Sequence, residues 1–257
     1  MNILLTNDDG ITSDGILKLA RALRTRGKHR VLVIAPDANR SGISHALSLF
    51  SGPVRLFPVE EDTWSCSGFP AECIIVGLKT AIIEKPDIVL SGINLGENLG
   101  TDIIYSGTAS AARQGSLLGI PSAALSLAGS GDFCWDMAVN WVVDHLEEIL
   151  SYYRKDSFVN VNIPNTPGGP KGLIPAWPAA KTYRDTLSLM NAPDGSIFCF
   201  MDTGEDSSGI EPGSDCDVVS RNFVSVSTVY NYPAVFRELC PGAPDYAAVA
   251  MRSGKKE

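Results

Sequence analysis

The chain opens on an apolar run, Ile3-Leu4-Leu5, that passes within two residues into Asn7-Asp8-Asp9-Gly10. No other stretch constrains the fold as much. A continuous apolar run is the kind of strand that a parallel sheet buries on both faces. In open α/β sheets ligands sit at the carboxyl ends of such strands. Successive side chains of an extended strand point to opposite faces. Asp8 and Asp9 can therefore converge only where the strand is ending, and Gly10 permits the backbone angles that this requires. Two readings are open here: a paired-carboxylate site, or a plain turn with an Asp cap for the next helix.

The same succession recurs down the chain. Ile16, Leu19, Ala20 and Leu23 repeat at helical spacing and end near Gly27, a C-cap residue. Residues 31–35 form a second apolar strand, stopped by Pro36 and followed by the polar loop Asp37-Ala-Asn39-Arg-Ser41-Gly42. Residues 44–57 read as a loop plus an irregular strand, closed by an acidic turn at 60–62. Gly68-Phe-Pro-Ala-Glu72 introduces a helix to about Ile83. Residues 87–91 are a third buried strand, ending in Gly92-Ile-Asn94-Leu-Gly-Glu-Asn98-Leu-Gly100. Ser106-Gly107-Thr108 opens an Ala-rich helix to about Leu118. A fourth strand covers 121–127, and 134–154 reads as one long amphipathic helix. Three polar loops thus follow three strands, and right-handed crossovers would gather them on one sheet edge.

The second half is punctuated by Pro and Gly. Residues 158–163 are strand-like, as are 196–202 and 222–230, with an acidic, Gly-rich loop between the last two at 203–217. These read as β-hairpins appended to the sheet. The fold class expected is α/β, a Rossmann-like, three-layer, mostly parallel sheet. Residues 1–250 are expected to form a single domain, with a flexible tail at 251–257.

Composition narrows the function. A net charge of −8 argues against a polyanion-binding surface, because nucleic-acid binders cluster Lys and Arg. Six cysteines form no C-x-x-C pair, which fits thiols in a reducing compartment better than a disulfide scaffold or a zinc site. No leader-like run precedes the first strand, and no apolar run reaches about 18 residues. The expectation is a cytoplasmic protein with no membrane partner.

Asp8, Asp9, Ser41 and Asn94 are all hard oxygen donors, supplied by the three loops. Mg²⁺ and Mn²⁺ prefer such donors and keep waters that a phosphate can displace. Two carboxylates repel a phosphate, so a divalent cation between them would supply the missing sign. Ser106-Gly107-Thr108 at a helix start offers N–H groups, two hydroxyls and a positive dipole end for an anion; a plain Ser N-cap is the other reading. No G-x-G-x-x-G follows the first strand, which disfavours a dinucleotide-binding dehydrogenase.

These residues also carry a family resemblance. Asn7-Asp-Asp-Gly, Ala35-Pro-Asp-x-x-Arg-Ser-Gly42, Ser91-Gly-Ile-Asn-x-Gly-x-Asn-x-Gly100 and Tyr105-Ser-Gly-Thr-x-x-Ala-Ala112 resemble the signatures of the SurE family. Gly68-x-Pro-Ala-Glu-Cys73 and the Gly213-Ser-Asp215 to Val226 stretch resemble two weaker ones. Members of this family are stationary-phase survival proteins that act as metal-dependent nucleoside monophosphate phosphatases. The resemblance implies one divalent ion per subunit, held by Asp8, Asp9, Ser41 and Asn94. It implies phosphate or substrate contacts at Asn39, Asn98, Ser106, Gly107 and Thr108. It also implies a homodimer or homotetramer, with the hairpin at 176–202 and the region after 230 at the contacts.

The activity so implied is hydrolysis of nucleoside 5′-monophosphates, with 3′-monophosphates and short polyphosphate as side substrates. Asp8 or Asp9 would orient or deprotonate the attacking water, and a covalent aspartyl-phosphate at Asp8 is the rival route. A non-catalytic sensor of a metal–nucleotide complex is the alternative class. Three positions depart from the family pattern. Gln114 stands where Glu is usual, His45 where a small polar residue is usual, and Tyr230 near where some members carry a His. Asp102 is a further acid/base candidate beside the phosphate loop.

Overall fold

The computed structural model describes residues 1–202, 204 and 209–233. Eleven strands are described: β1 (Asn2–Thr6), β2 (Arg30–Pro36), β3 (Leu56–Glu60), β4 (Thr63–Cys66), β5 (Ile88–Leu95), β6 (Ser122–Ala128), β7 (Ser157–Pro164), β8 (Leu173–Pro175), β9 (Thr186–Asn191), β10 (Ile197–Asp202) and β11 (Val224–Tyr230). The helices are α1 (Asp14–Thr25), α2 (Pro70–Lys79), α3 (Gly107–Leu117), α4 (Trp135–Asp144), α5 (Leu146–Ser151) and α6 (Asp215–Ser220), with a 3-10 turn at Gly100–Ile104.

Nine strands form one sheet in the order β3-β4-β2-β1-β5-β6-β7-β11-β8. The β4-β2-β1-β5-β6-β7 core is parallel. Alternation along β1 explains why helices cover both faces. Ile3 and Leu5 pack with α1 and α4 residues such as Ile16, Leu19 and Val142. Leu4 points the other way and packs with Ile74 of α2 and Ala111 of α3. The expected three-layer α/β architecture is therefore what the chain builds. From β1 the chain steps outward to β2 on one side and later returns to β5 on the other. The crevice between the carboxyl ends of β1 and β5 is thus the topological switch point, where α/β sheets bind ligands.

Four expectations need correction. Residues 56–66 are a true hairpin, β3-β4, and its acidic turn places Asp62 at φ +55°. Residues 134–154 are two helices. The run breaks at His145, whose backbone leaves helical angles at φ −115° and ψ 14°; its ring bonds the Trp141 carbonyl at 2.8 Å and stacks on the Trp141 ring. The stretch 203–217 is not all loop, since Ser214 caps α6 through the Asp217 N–H. Finally, β9 and β10 form a separate two-stranded sheet, while β8 and β11 join the main one. The tail at 251–257 and most of the region after 230 lie outside the described residues. Among the described residues no helix is long and apolar enough to cross a membrane.

Candidate active site

At the end of β1 the backbone turns at Gly10, which has φ +102°. The Asn7 side chain braces that turn, donating to Gly10 O at 2.9 Å and to Ser13 Oγ at 2.7 Å. Helix α1 begins only after Ser13, so Asp8 and Asp9 are not its caps.

Asp8 is 3% exposed. Its Oδ2 accepts the Thr108 N–H at 3.0 Å, and its Oδ1 accepts the Thr108 hydroxyl. The N-terminus of α3 therefore points at this carboxylate, with its positive dipole end. Gly107 makes the approach possible, because a Cβ there would lie 2.7 Å from the Asp8 Cβ. Burial raises the Asp8 pKa, and the Thr108 hydrogen bonds oppose that rise. Asp9 is half-buried and accepts the Leu95 N–H at 3.1 Å. Its pKa is pushed up to about 6, by burial first and by the neighbouring Asp8 charge, against the Leu95 bond. A half-buried carboxylate beside a buried one is costly unless a cation shares them.

The other two loops arrive at the same place. The Arg40 N–H donates to the Asp8 carbonyl at 2.6 Å, which sets Ser41 one residue beyond. Asn39 is not free for a ligand through its Oδ1, which accepts the Ser41 N–H at 2.7 Å. The Arg40 guanidinium holds Asp37 at 2.8 Å. From β5, Asn94 stands next to the Leu95 amide that binds Asp9, and its Nδ2 donates to Gly96 O at 3.0 Å. That bond leaves the amide oxygen as the donor atom for a cation.

Direct bonds thus connect Asp8, Asp9 and the segments carrying Ser41 and Asn94. The groups these segments could offer a cation are two carboxylates, an amide oxygen and a hydroxyl. Among the described residues no three His, Cys, Asp or Glu side chains gather as a metal cluster. The set is one of hard oxygens, which suits Mg²⁺ or Mn²⁺ and not zinc.

Asn98 and Ser106 are buried, Asn98 in the loop after β5 and Ser106 one residue before Gly107. Ser106 is the N-cap of α3, accepting the Ala109 N–H at 2.9 Å. Thr108 serves Asp8 with both its donors, a role that sequence reasoning missed. It also missed Asn160 and Asn162, whose amides both donate to the Asn98 carbonyl. The available signal was Phe158-Val-Asn160-Val-Asn162-Ile, where two amides share one face of a buried strand.

The departures have places too. His45 and Gln114 are partners, Nε2 to Oε1 at 2.9 Å, so two of the unusual residues form one contact. Asp102 is partly buried. It pairs with Lys181 at 2.7 Å and accepts the Tyr183 hydroxyl at 2.5 Å, which ties it to the root of the β9-β10 hairpin. Tyr230 is exposed at the end of β11.

Comparison with known proteins bears on this centre. The family described as survival protein SurE matches residues 3–182. A Thermosipho melanesiensis protein named 5′-nucleotidase SurE is 36% identical, over 89% of this chain and 91% of its own length. One of the same name from Synechococcus sp. (strain JA-3-3Ab) is 39% identical, over 88% of this chain and 90% of its own. The crystal structure of the SurE protein from Aquifex aeolicus superposes with a TM-score of 0.80 at 34% identity, covering 96% of this chain and all of that one. The chain belongs to the SurE family.

Proposed function

We propose that the protein is a divalent-metal-dependent phosphomonoesterase that hydrolyses nucleoside 5′-monophosphates to nucleoside and phosphate. The observation that carries this reading is the meeting of Asp8, Asp9 and the α3 N-terminus at the switch point between β1 and β5. The activity in the names of its relatives supports the substrate class.

In this reading Asp8, Asp9, Asn94 and Ser41 hold one Mg²⁺ or Mn²⁺. When bound, the ion supplies positive charge for the phosphoryl oxygens and acidifies water. The residues of the chain do the rest. Thr108 fixes the Asp8 carboxylate in one orientation. Asp9, the more open of the pair, accepts a hydrogen bond from the attacking water and takes its proton. Asn98 and the polar groups of 106–107 receive phosphoryl oxygens as negative charge develops. Both Asp8 oxygens are bonded to Thr108, which favours direct attack by water over attack by Asp8.

The same pocket chemistry admits 3′-monophosphates and short polyphosphate as lesser substrates. We place residues 1–250 in one catalytic unit and assign a homodimer or homotetramer built on the β9-β10 hairpin. The absence of disulfides at Cys66, Cys73, Cys134 and Cys199 fits a cytoplasmic location. The test is phosphate release from a panel of nucleoside monophosphates with Mg²⁺, Mn²⁺ or EDTA. Turnover with either metal and none in EDTA is expected. Turnover that persists in EDTA, or none on any monophosphate, would overturn the reading.

A further inference from the structure

Asn98 lies in a loop that has little conformational preference of its own. Gly96 and Gly100 flank it, both with positive φ, at +100° and +55°, and glycine loses more freedom on ordering than any other residue. Three buried side chains hold the loop: Asp215, Asn162 and Asn160, the last donating to the Asn98 carbonyl at 2.9 Å. At one end the Gly100 N–H donates to Asp215 at 2.7 Å. At the other, Asn162 of β7 grips both polar groups of the Asn98 backbone. Its Oδ1 accepts the Asn98 N–H at 2.8 Å, and its Nδ2 donates to the Asn98 carbonyl at 3.1 Å.

Asn162 is fully buried in a strand whose other members include Val159, Val161 and Ile163. A buried amide is disfavoured there unless it is paired, and its pairing is entirely with Asn98. Two opposed hydrogen bonds to one residue fix where that residue sits and how it is turned, as a strand neighbour would. The Asn98 side chain is then set by one more bond, Nδ2 to Ser126 Oγ at 2.8 Å.

We propose that Asn162 is a positioning residue for phosphoryl transfer, holding the Asn98 amide where it meets the substrate phosphate. The proposal rests on the phosphomonoesterase reading, in which Asn98 contacts the phosphoryl oxygens. Its physical basis is preorganisation: a donor helps the transition state only when it need not be reoriented at the moment of reaction. Asn162 acts through Asn98 and touches neither metal nor substrate.

The test is a double-mutant cycle on the full chain with Asn98→Ala and Asn162→Leu. Asn162→Leu keeps the branched shape, with a larger side chain, and removes both bonds. Each single change is expected to lower kcat by ~100-fold, the scale of losing one oxyanion donor, with KM little changed. The double variant should be no slower than Asn98→Ala, since residues acting as one unit are not additive. Losses that multiply, or a lowered Tm with normal kcat, would reduce Asn162 to a structural part and overturn the proposal. If Asn162→Leu fails to fold, Asn162→Asp keeps the acceptor for the Asn98 N–H and enters the same cycle under the same criteria. If the wild type turns over no monophosphate, the parent reading fails. The cycle is then read by calorimetric binding of orthovanadate, with non-additive loss expected. Additive loss, or no vanadate binding by the wild type, would then sink the positioning role as well.

Discussion

Thr108 donates its backbone N–H, at 3.0 Å, and its hydroxyl to the two oxygens of Asp8, a residue 100 positions earlier in the chain. One residue at a helix start thereby orients the most buried carboxylate of the site. A charge-assisted bond of this kind is worth about 1.5–3 kcal/mol. Thr108→Val keeps the shape and the N–H and removes the hydroxyl. It should lower stability by about that amount in urea denaturation and cut kcat/KM at least tenfold. Wild-type values for both would remove Thr108 from the site.

The second prediction concerns pH. The Asp9 pKa rises from 3.8 to about 6 on folding, chiefly through burial. Between those values the folded protein binds more protons than the unfolded chain. Its contribution to stability therefore falls as pH rises through that window and stays low above it. In EDTA, Asp9→Asn should be more stable than the wild type at pH 7, and the gap should close as the pH falls below that window. Mg²⁺ or Mn²⁺ should stabilise only the wild type. A gap of the opposite sign would show that the Asp9 environment favours the bare carboxylate.

The third concerns assembly. The β9-β10 hairpin carries Leu187, Leu189, Phe198 and Phe200, each at least 50% exposed, and its register places apolar residues on both faces. An isolated two-stranded hairpin is marginal in water, and exposed apolar patches mark contacts. The wild type should scatter light as a multiple of the 27.4 kDa chain, and Leu189→Asp with Phe198→Asp should lower that multiple. An unchanged mass would separate the hairpin from assembly.

The fourth separates the two routes to phosphate. A nucleoside 5′-[¹⁶O,¹⁸O]phosphorothioate of known configuration, turned over in ¹⁷O-water, should release thiophosphate with inverted configuration, as one direct in-line attack by water requires. Net retention, from two successive displacements, would establish the aspartyl-phosphate route instead.

The parallel core and the meeting of the three loops were legible because each depends on local signals: apolar runs, strand-ending glycines and polar triplets. What was not legible depends on contacts distant in sequence. Thr108 looks like an anion donor until α3 is seen to aim at Asp8. Asn162 looks like a polar interruption of a strand until Asn98 lies above it. The break at His145 is a departure of one residue's backbone from helical angles, which hydrophobic periodicity does not register. The β3-β4 hairpin was hidden because β3 is largely exposed and so lacks the apolar alternation that marks a half-buried strand. His45 and Gln114 read as separate oddities, and only the fold shows them as partners.

The most direct measurement is Mn²⁺ binding, by calorimetry and electron paramagnetic resonance, on the wild type and Asp9→Asn, with turnover of a nucleoside monophosphate read in parallel. The expected result is one Mn²⁺ per wild-type chain, with binding and turnover both lost in the variant. Equal Mn²⁺ affinity in the two proteins, with turnover retained, would contradict a catalytic metal shared by Asp8 and Asp9.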